Sequence, residues 1–202
     1  MVNRMDEQEL MARLQRKDEQ AFREVVRRYK DRVVNYLWQL TGDYEKAVDL
    51  AQETFLRVFF KAHKYRPIAP LASWIYTIAS NLAKTELRRM KKMDTVSFDD
   101  VKDIFIEKEP TYNSPEKDEL IRTVRAALNR LAPRYRIPLI LKDLEGFSQE
   151  EIAQILRLPL GTVKARISRG RNRLKKELAK VADWGASQST EGEKNHEGIK
   201  AT

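Results

Sequence analysis

The chain has 202 residues, which at about 100–200 residues per domain allows one domain or two small ones. Lys and Arg number 39 against 30 Asp and Glu, a net charge of +9 that favours a polyanionic partner, nucleic acid before an anionic membrane. The absence of Cys excludes disulfides, thiol catalysis and Cys-ligated zinc; the apolar runs fall short of the roughly 18 residues that span a bilayer, and MVNRMDEQEL has no signal-peptide core, so a cytoplasmic protein without membrane insertion is expected.

The charge is unevenly spread. Residues 1–93 carry +7, residues 94–118 carry −5, residues 119–184 carry +8 and residues 185–202 carry −1. Two basic blocks are thus joined by an acidic segment. In both blocks apolar residues recur at spacings of three and four, and Gly and Pro are sparse, with 7 of each. The expected fold is all-α: two small helical domains joined by a flexible acidic linker, the second a helix-turn-helix domain. Helices are predicted at 6–17, 18–40, 44–63 and 71–92 in the first block.

The helix DYEKAVDLAQETFLRVFFKA has two unlike faces. Ala47, Ala51, Thr54, Val58 and Ala62 form an inward stripe. Asp49, Gln52, Glu53, Leu56 and Phe60 lie opposite. Carboxylates mixed with Leu and Phe do not suit DNA; they suit a protein partner, with apolar anchors and charge for specificity. The simpler possibility is that another helix of the same domain covers Leu56 and Phe60.

The helix LASWIYTIASNLAKTELRRMKK follows. Ile75, Ile78, Ala79 and Leu82 form its core side, while Trp74, Thr77, Asn81, Lys84 and Arg88 form a second stripe. An aromatic ring, an amide and cations on one stripe suit stacking on unpaired bases and phosphate contact. Equally, Trp74 fills the core edge and the cations are solvated. The preceding loop, HKYRPIAPLA, brings Lys64, Tyr65 and Arg66 near the helix start.

The acidic segment 94–118 contains Pro110, Pro115 and Asn113-Ser114, which suits a linker, and also Phe98, Val101, Ile104, Phe105 and Ile106, which make it too apolar for a purely solvated tether. Beyond it, helices are predicted at 116–131, 134–144, 148–156 and 161–182. The tail 185–202 is small and polar and is expected to be disordered.

GFSQEEIAQILRLPLGTVKARISRGRNRLKKEL is the most informative stretch. Ser148 with Glu151 three residues later is a capping box, so a helix starts there. Pro159 disfavours helical geometry at Leu158 and forces a turn. A second helix then begins around Thr162, completing a helix-turn-helix pattern. Val163, Ile167, Leu174 and Leu178 fall on its inner face. Ala165, Ser168, Arg169, Asn172 and Lys176 lie opposite, flanked by Lys164 and Arg171 on one side and Arg166 and Arg173 on the other. Small residues permit close approach, and polar and cationic ones reach base edges and phosphates.

These three stretches, in this order and with an acidic linker between, resemble bacterial sigma factors of the extracytoplasmic-function type over about residues 7–182. The resemblance implies a transcription initiation factor with no catalytic centre, cofactor or metal. Asp49, Gln52, Glu53, Leu56, Arg57 and Phe60 would dock on core RNA polymerase, whose clamp helices and flap are the family's contact points. Trp74, Tyr76 and Asn81 would help hold an extruded base of the −10 promoter element, with Lys64, Arg66, Thr77, Lys84, Arg88 and Arg89 beside it. Thr162, Lys164, Ala165, Arg166, Ser168, Arg169, Arg171 and Arg173 would face the −35 element. Residues 1–93 would then be sigma region 2 and residues 119–184 sigma region 4, and an anti-sigma factor would be a typical further partner.

Two other functions fit parts of the sequence. A stand-alone helix-turn-helix regulator explains the second block but leaves the Trp74 stripe and the Asp49–Phe60 face unused. A basic helical interaction protein explains neither DNA-suited helix. An enzyme is disfavoured: the two His residues, His63 and His196, lie in different segments, with no nucleophile motif or Gly-rich phosphate loop.

Overall fold

The computed structural model describes residues 6–94 and 115–194, with side chains for 6–92 and 119–180. All of the regular elements among them are helical. The order is α1 (Glu7–Gln15), α2 (Glu19–Thr41), α3 (Tyr44–Lys61), a short 3₁₀ turn (Ala62–Lys64), α4 (Leu71–Asp94), α5 (Pro115–Arg130), α6 (Pro133–Asp143), α7 (Gln149–Leu156) and α8 (Leu160–Lys194). The apolar residues expected in the linker, Phe98 to Ile106, lie outside the described residues.

Side-chain caps set the starts of α1, α2, α3 and α7. Asp18 accepts from the backbone N–H groups of Gln20 and Ala21, at 2.8 and 3.1 Å, and Asp43 accepts from that of Lys46 at 3.0 Å. Each carboxylate satisfies donors that the first turn leaves unpaired and sits at the positive end of the helix dipole. Gly42 ends α2 in the left-handed region, at φ 77°, and its N–H bonds the Trp38 carbonyl at 2.8 Å. At α7 the capping box forms in both directions: Ser148 Oγ accepts from the Glu151 N–H at 3.1 Å, and Glu151 accepts from the Ser148 N–H at 2.8 Å. Arg157 closes α7 at φ 54°, so the turn into α8 is made by a non-glycine residue in the left-handed region.

α1 to α4 pack together, with Leu10, Leu14, Val25, Leu37, Leu40, Val58, Leu71 and Ile75 sealed from solvent. The predicted inner stripe of α3 is the buried one. α5 to α8 form the second group around Leu128, Ile140, Leu141, Ile152, Val163 and Ile167. α6 crosses α8 at Gly170, where a Cβ would stand 3.2 Å from the Tyr135 carbonyl and 3.6 Å from the Leu139 side chain. A Cβ there would be tighter than ordinary van der Waals contact, so glycine eases the close approach of the two helices.

The predicted helices and the observed ones agree in number and order. One element runs further: α8 continues to Lys194, into the tail expected to be disordered. Extending an existing helix avoids the nucleation cost that would keep the same polar segment unfolded alone. Residues 195–202 lie outside the described residues.

Candidate polymerase and nucleic-acid surfaces

α3 carries an unusual outward face. Leu56 and Phe60 are 49% and 62% exposed, beside exposed Asp49 and Gln52 and half-exposed Glu53. Glu53 accepts from Arg57 Nε at 2.6 Å, an i,i+4 pair that holds both side chains along the helix. The neighbouring helices cover the opposite side of α3 and leave these anchors uncovered.

α4 turns Ile75, Ala79 and Leu82 into the core as expected. Its second stripe is not free. Trp74 and Thr77 are half-buried, and with Tyr65, Arg66 and Ser73 they line a narrow cleft whose far wall is Gln154, Ile155 and Arg157 of α7 and its C-terminal turn. Trp74 also packs on Tyr65, ring centres 5.3 Å apart. Lys84 is half-buried; burial, and then the charges of Arg88 and Arg166, push its pKa down. Asn81, Arg88 and Arg89 are exposed, and Arg89 pairs with Glu86 at 2.8 Å. Lys64 and Arg66 are exposed on the loop ahead of α4.

Tyr76 has a different environment from that implied by the resemblance. It is sealed from solvent, and its hydroxyl donates to Glu145 Oε2 at 2.5 Å. An inward side chain held this way does not face a base in this conformation.

On α8, Lys164, Ser168 and Arg169 are exposed, whereas Thr162, Ala165 and Arg166 are partly covered. Three predicted DNA contacts of this helix, Arg169, Arg171 and Arg173, have intramolecular partners. Arg171 forms a two-pronged ion pair with Asp143, at 3.0 and 2.5 Å, which raises its pKa. Arg173 lies 4.8 Å from the ring centre of Tyr135, as does Arg134. The α6–α8 packing thus gathers Arg134, Arg169 and Arg173 around one phenol. Burial alone would raise the Tyr135 pKa, but the charges of Arg134 and Arg173 and a hydrogen bond from Arg169 together lower it.

Sequence reasoning missed the contacts between the two helical groups. Arg125 of α5 stacks 3.5 Å over Trp38 of α2, both nearly buried. Arg32 of α2 donates to the backbone carbonyl of Glu145 at 3.0 Å. The sequence offers no local signal for either, because each pairs residues far apart in the chain.

No group of His, Cys, Asp or Glu among the described residues is arranged to hold a metal ion, and none of the helices searched is long and apolar enough to cross a membrane.

These surfaces coincide with two family models: sigma-70 region 2 over residues 25–93, which holds α3 and most of α4, and sigma-70 region 4 over residues 121–174, which holds the helix-turn-helix. The chain is 32% identical over 194 residues to RNA polymerase sigma-H factor of Pseudomonas aeruginosa, covering 88% of this chain and 96% of that protein. It is 36% identical over 158 residues to the ECF sigma factor SigE of Mycolicibacterium smegmatis, covering 78% of this chain but 61% of that relative. Among solved structures, the sigma factor RpoE of Bartonella quintana in complex with the anti-sigma factor NepR superposes with a TM-score of 0.62 at 26% identity, over 78% of this chain and 96% of that one. The chain belongs to the extracytoplasmic-function family of RNA polymerase sigma factors.

Proposed function

We propose that this sigma factor docks on core RNA polymerase through the outward face of α3, reads duplex DNA of the −35 element with α8, and holds unpaired DNA of the −10 element on the second stripe of α4. The observation that carries the polymerase role is the pair Leu56 and Phe60, large apolar side chains left exposed beside Asp49, Gln52 and Glu53. Such anchors with a charged rim mark a protein interface.

The DNA roles follow from chemistry. Lys164, Ser168 and Arg169 are exposed on one side of α8 and supply donors to phosphates and base edges. On α4, Trp74 offers a ring for stacking, Asn81 a base-reading amide, and Lys84 and Arg88 phosphate contacts. Unstacking a base costs a few kcal/mol, and stacking at about 1–3 kcal/mol per base offsets it, so opening proceeds without ATP. The factor acts in the cytoplasm, where its polymerase is, and an anti-sigma protein is its natural regulator, in keeping with the NepR complex of the Bartonella relative.

The test is the affinity of the full chain for core polymerase. Glu53→Lys and Leu56→Asp are each expected to weaken it at least tenfold while leaving α8 binding to duplex DNA intact. Normal holoenzyme assembly by both variants overturns the α3 role.

A further inference from the structure

Phe60 stands one residue before the end of α3, where the last helical carbonyls lack partners within the helix. One of them, that of Phe59, accepts from the Ala62 N–H and also from Lys17 Nζ at 2.9 Å. The same ammonium lies 4.6 Å from the centre of the Phe59 ring and 5.3 Å from that of Phe60. Both rings fall within the roughly 6 Å over which a cation is drawn to an aromatic face. Phe59 is half-buried against Phe22 of α2, ring centres 5.0 Å apart, and meets Phe60 edge-on at 5.6 Å. The exposed ring of Phe60 is therefore supported by the Phe59 ring and by the ammonium of Lys17.

Lys17 comes from the turn between α1 and α2, 42 residues before Phe59. It sits at φ 65°, in the left-handed region that disfavours a residue with a Cβ. The turn is held around it: the Lys17 N–H bonds the Leu14 carbonyl at 3.0 Å, and Arg13 Nε pairs with Asp18 at 2.8 Å. Glycine would take this backbone at less cost. A lysine occupies it instead, and its contacts with α3 are made at the far end of its side chain. Gln15, at the end of α1, reaches the same end of α3 away from the rings: its Nε2 donates to the Ala62 carbonyl at 3.3 Å.

We propose that Lys17 is a positioning residue for polymerase docking, which holds the Phe60 ring outward in the orientation that meets the polymerase and fixes the end of α3 beneath it. This rests on the reading of the outward face of α3 as the polymerase contact. An exposed side chain that moves among rotamers has to be ordered when a partner buries it, and that ordering opposes binding. A ring already held in place loses less freedom on docking. The ammonium supports the ring without covering it, since Phe60 stays 62% exposed. It also sits at the negative end of the α3 dipole, where a cation is favoured. The docking surface thereby draws on a turn well ahead of α3 in the chain.

The test measures the affinity of the full chain for core polymerase, with melting by circular dichroism to check that each variant folds. Lys17→Gly removes the ammonium and suits the φ of 65°, so the turn is spared. It is expected to weaken polymerase binding about two- to fivefold, the equivalent of an exposed cation–π contact, while Lys17→Arg keeps the cation and the parental affinity. In a Phe60→Leu background the same Lys17→Gly change is expected to cost little more, because the two residues act through one contact. Gln15→Ala, which loosens the same helix end away from the rings, is expected to bind as the parent does. Parental affinity in Lys17→Gly overturns the proposal, and so does an equal loss in Gln15→Ala or a fully additive loss with Phe60→Leu. If Leu56→Asp also binds as the parent does, it is the α3 reading that fails; loss in Leu56→Asp beside parental binding by Lys17→Gly overturns the role of Lys17 alone.

Discussion

Arg169 and Arg171 sit two residues apart on α8 yet do different work. Both are exposed; Arg169 hydrogen-bonds Tyr135, a neutral partner, whereas Arg171 is held in a two-pronged ion pair with Asp143. Arg169→Ala is expected to weaken duplex binding by about 1–3 kcal/mol if the guanidinium meets a base. Arg171→Ala is expected to change DNA affinity less and to lower stability by no more than about 1 kcal/mol, the usual worth of a solvent-accessible pair. Titration of labelled duplex, paired with urea unfolding, separates the two; equal loss of affinity would contradict the assignment. Helical spacing placed both arginines near the groove-facing side, but it carries no information about Asp143, 28 residues earlier. Tyr76 makes the same point. Its position in the sequence suits base holding, while its actual partner, Glu145, is 69 residues away.

At the scale of elements the sequence is far more legible, because caps and periodicity are local. The Ser148–Glu151 box was visible as a pattern and is present as a reciprocal pair of hydrogen bonds. Ser148→Ala is expected to cost about 0.5–2 kcal/mol, the usual worth of a capping side chain. Thermal unfolding of the full chain measures this, and no loss of stability would mean that tertiary packing alone fixes the start of α7. Gly170 was less legible: a lone glycine inside a basic helix gives no hint that α6 crosses there. Gly170→Ala pushes a methyl group against the Tyr135 carbonyl at 3.2 Å, backbone that yields poorly. A loss of about 1–3 kcal/mol is expected from such overpacking. An unchanged melting temperature would show that the crossing can relax.

At the scale of the whole molecule, the sequence yields two basic groups and an acidic joint, but not how the groups meet. That arrangement depends on long-range pairs with no periodic trace. Its pH response follows from Glu145. Burial, partly offset by the Tyr76 hydrogen bond and Arg32, raises this carboxyl above its ordinary value of 4.5. Tyr76 from α4 and Arg32 from α2 face the carboxyl, and Tyr36 of α2 lies behind the Tyr76 ring. The folded chain therefore binds the proton more tightly than the unfolded one. Its advantage from Glu145 is full below 4.5 and is lost as pH rises through the raised value. Stability of the full chain to urea is expected to fall as pH rises across that window, and Glu145→Gln is expected to abolish that part of the dependence.

The central claim is that two DNA surfaces and one protein surface make this chain the promoter-selecting subunit of an RNA polymerase. The most direct measurement is in vitro transcription by core polymerase on a randomised promoter library, with and without the full chain. Discrete start sites are expected only when the chain is added, downstream of shared sequence at the −10 and −35 positions. Duplex binding by the chain without any chain-dependent initiation would contradict it and leave a helix-turn-helix regulator in its place.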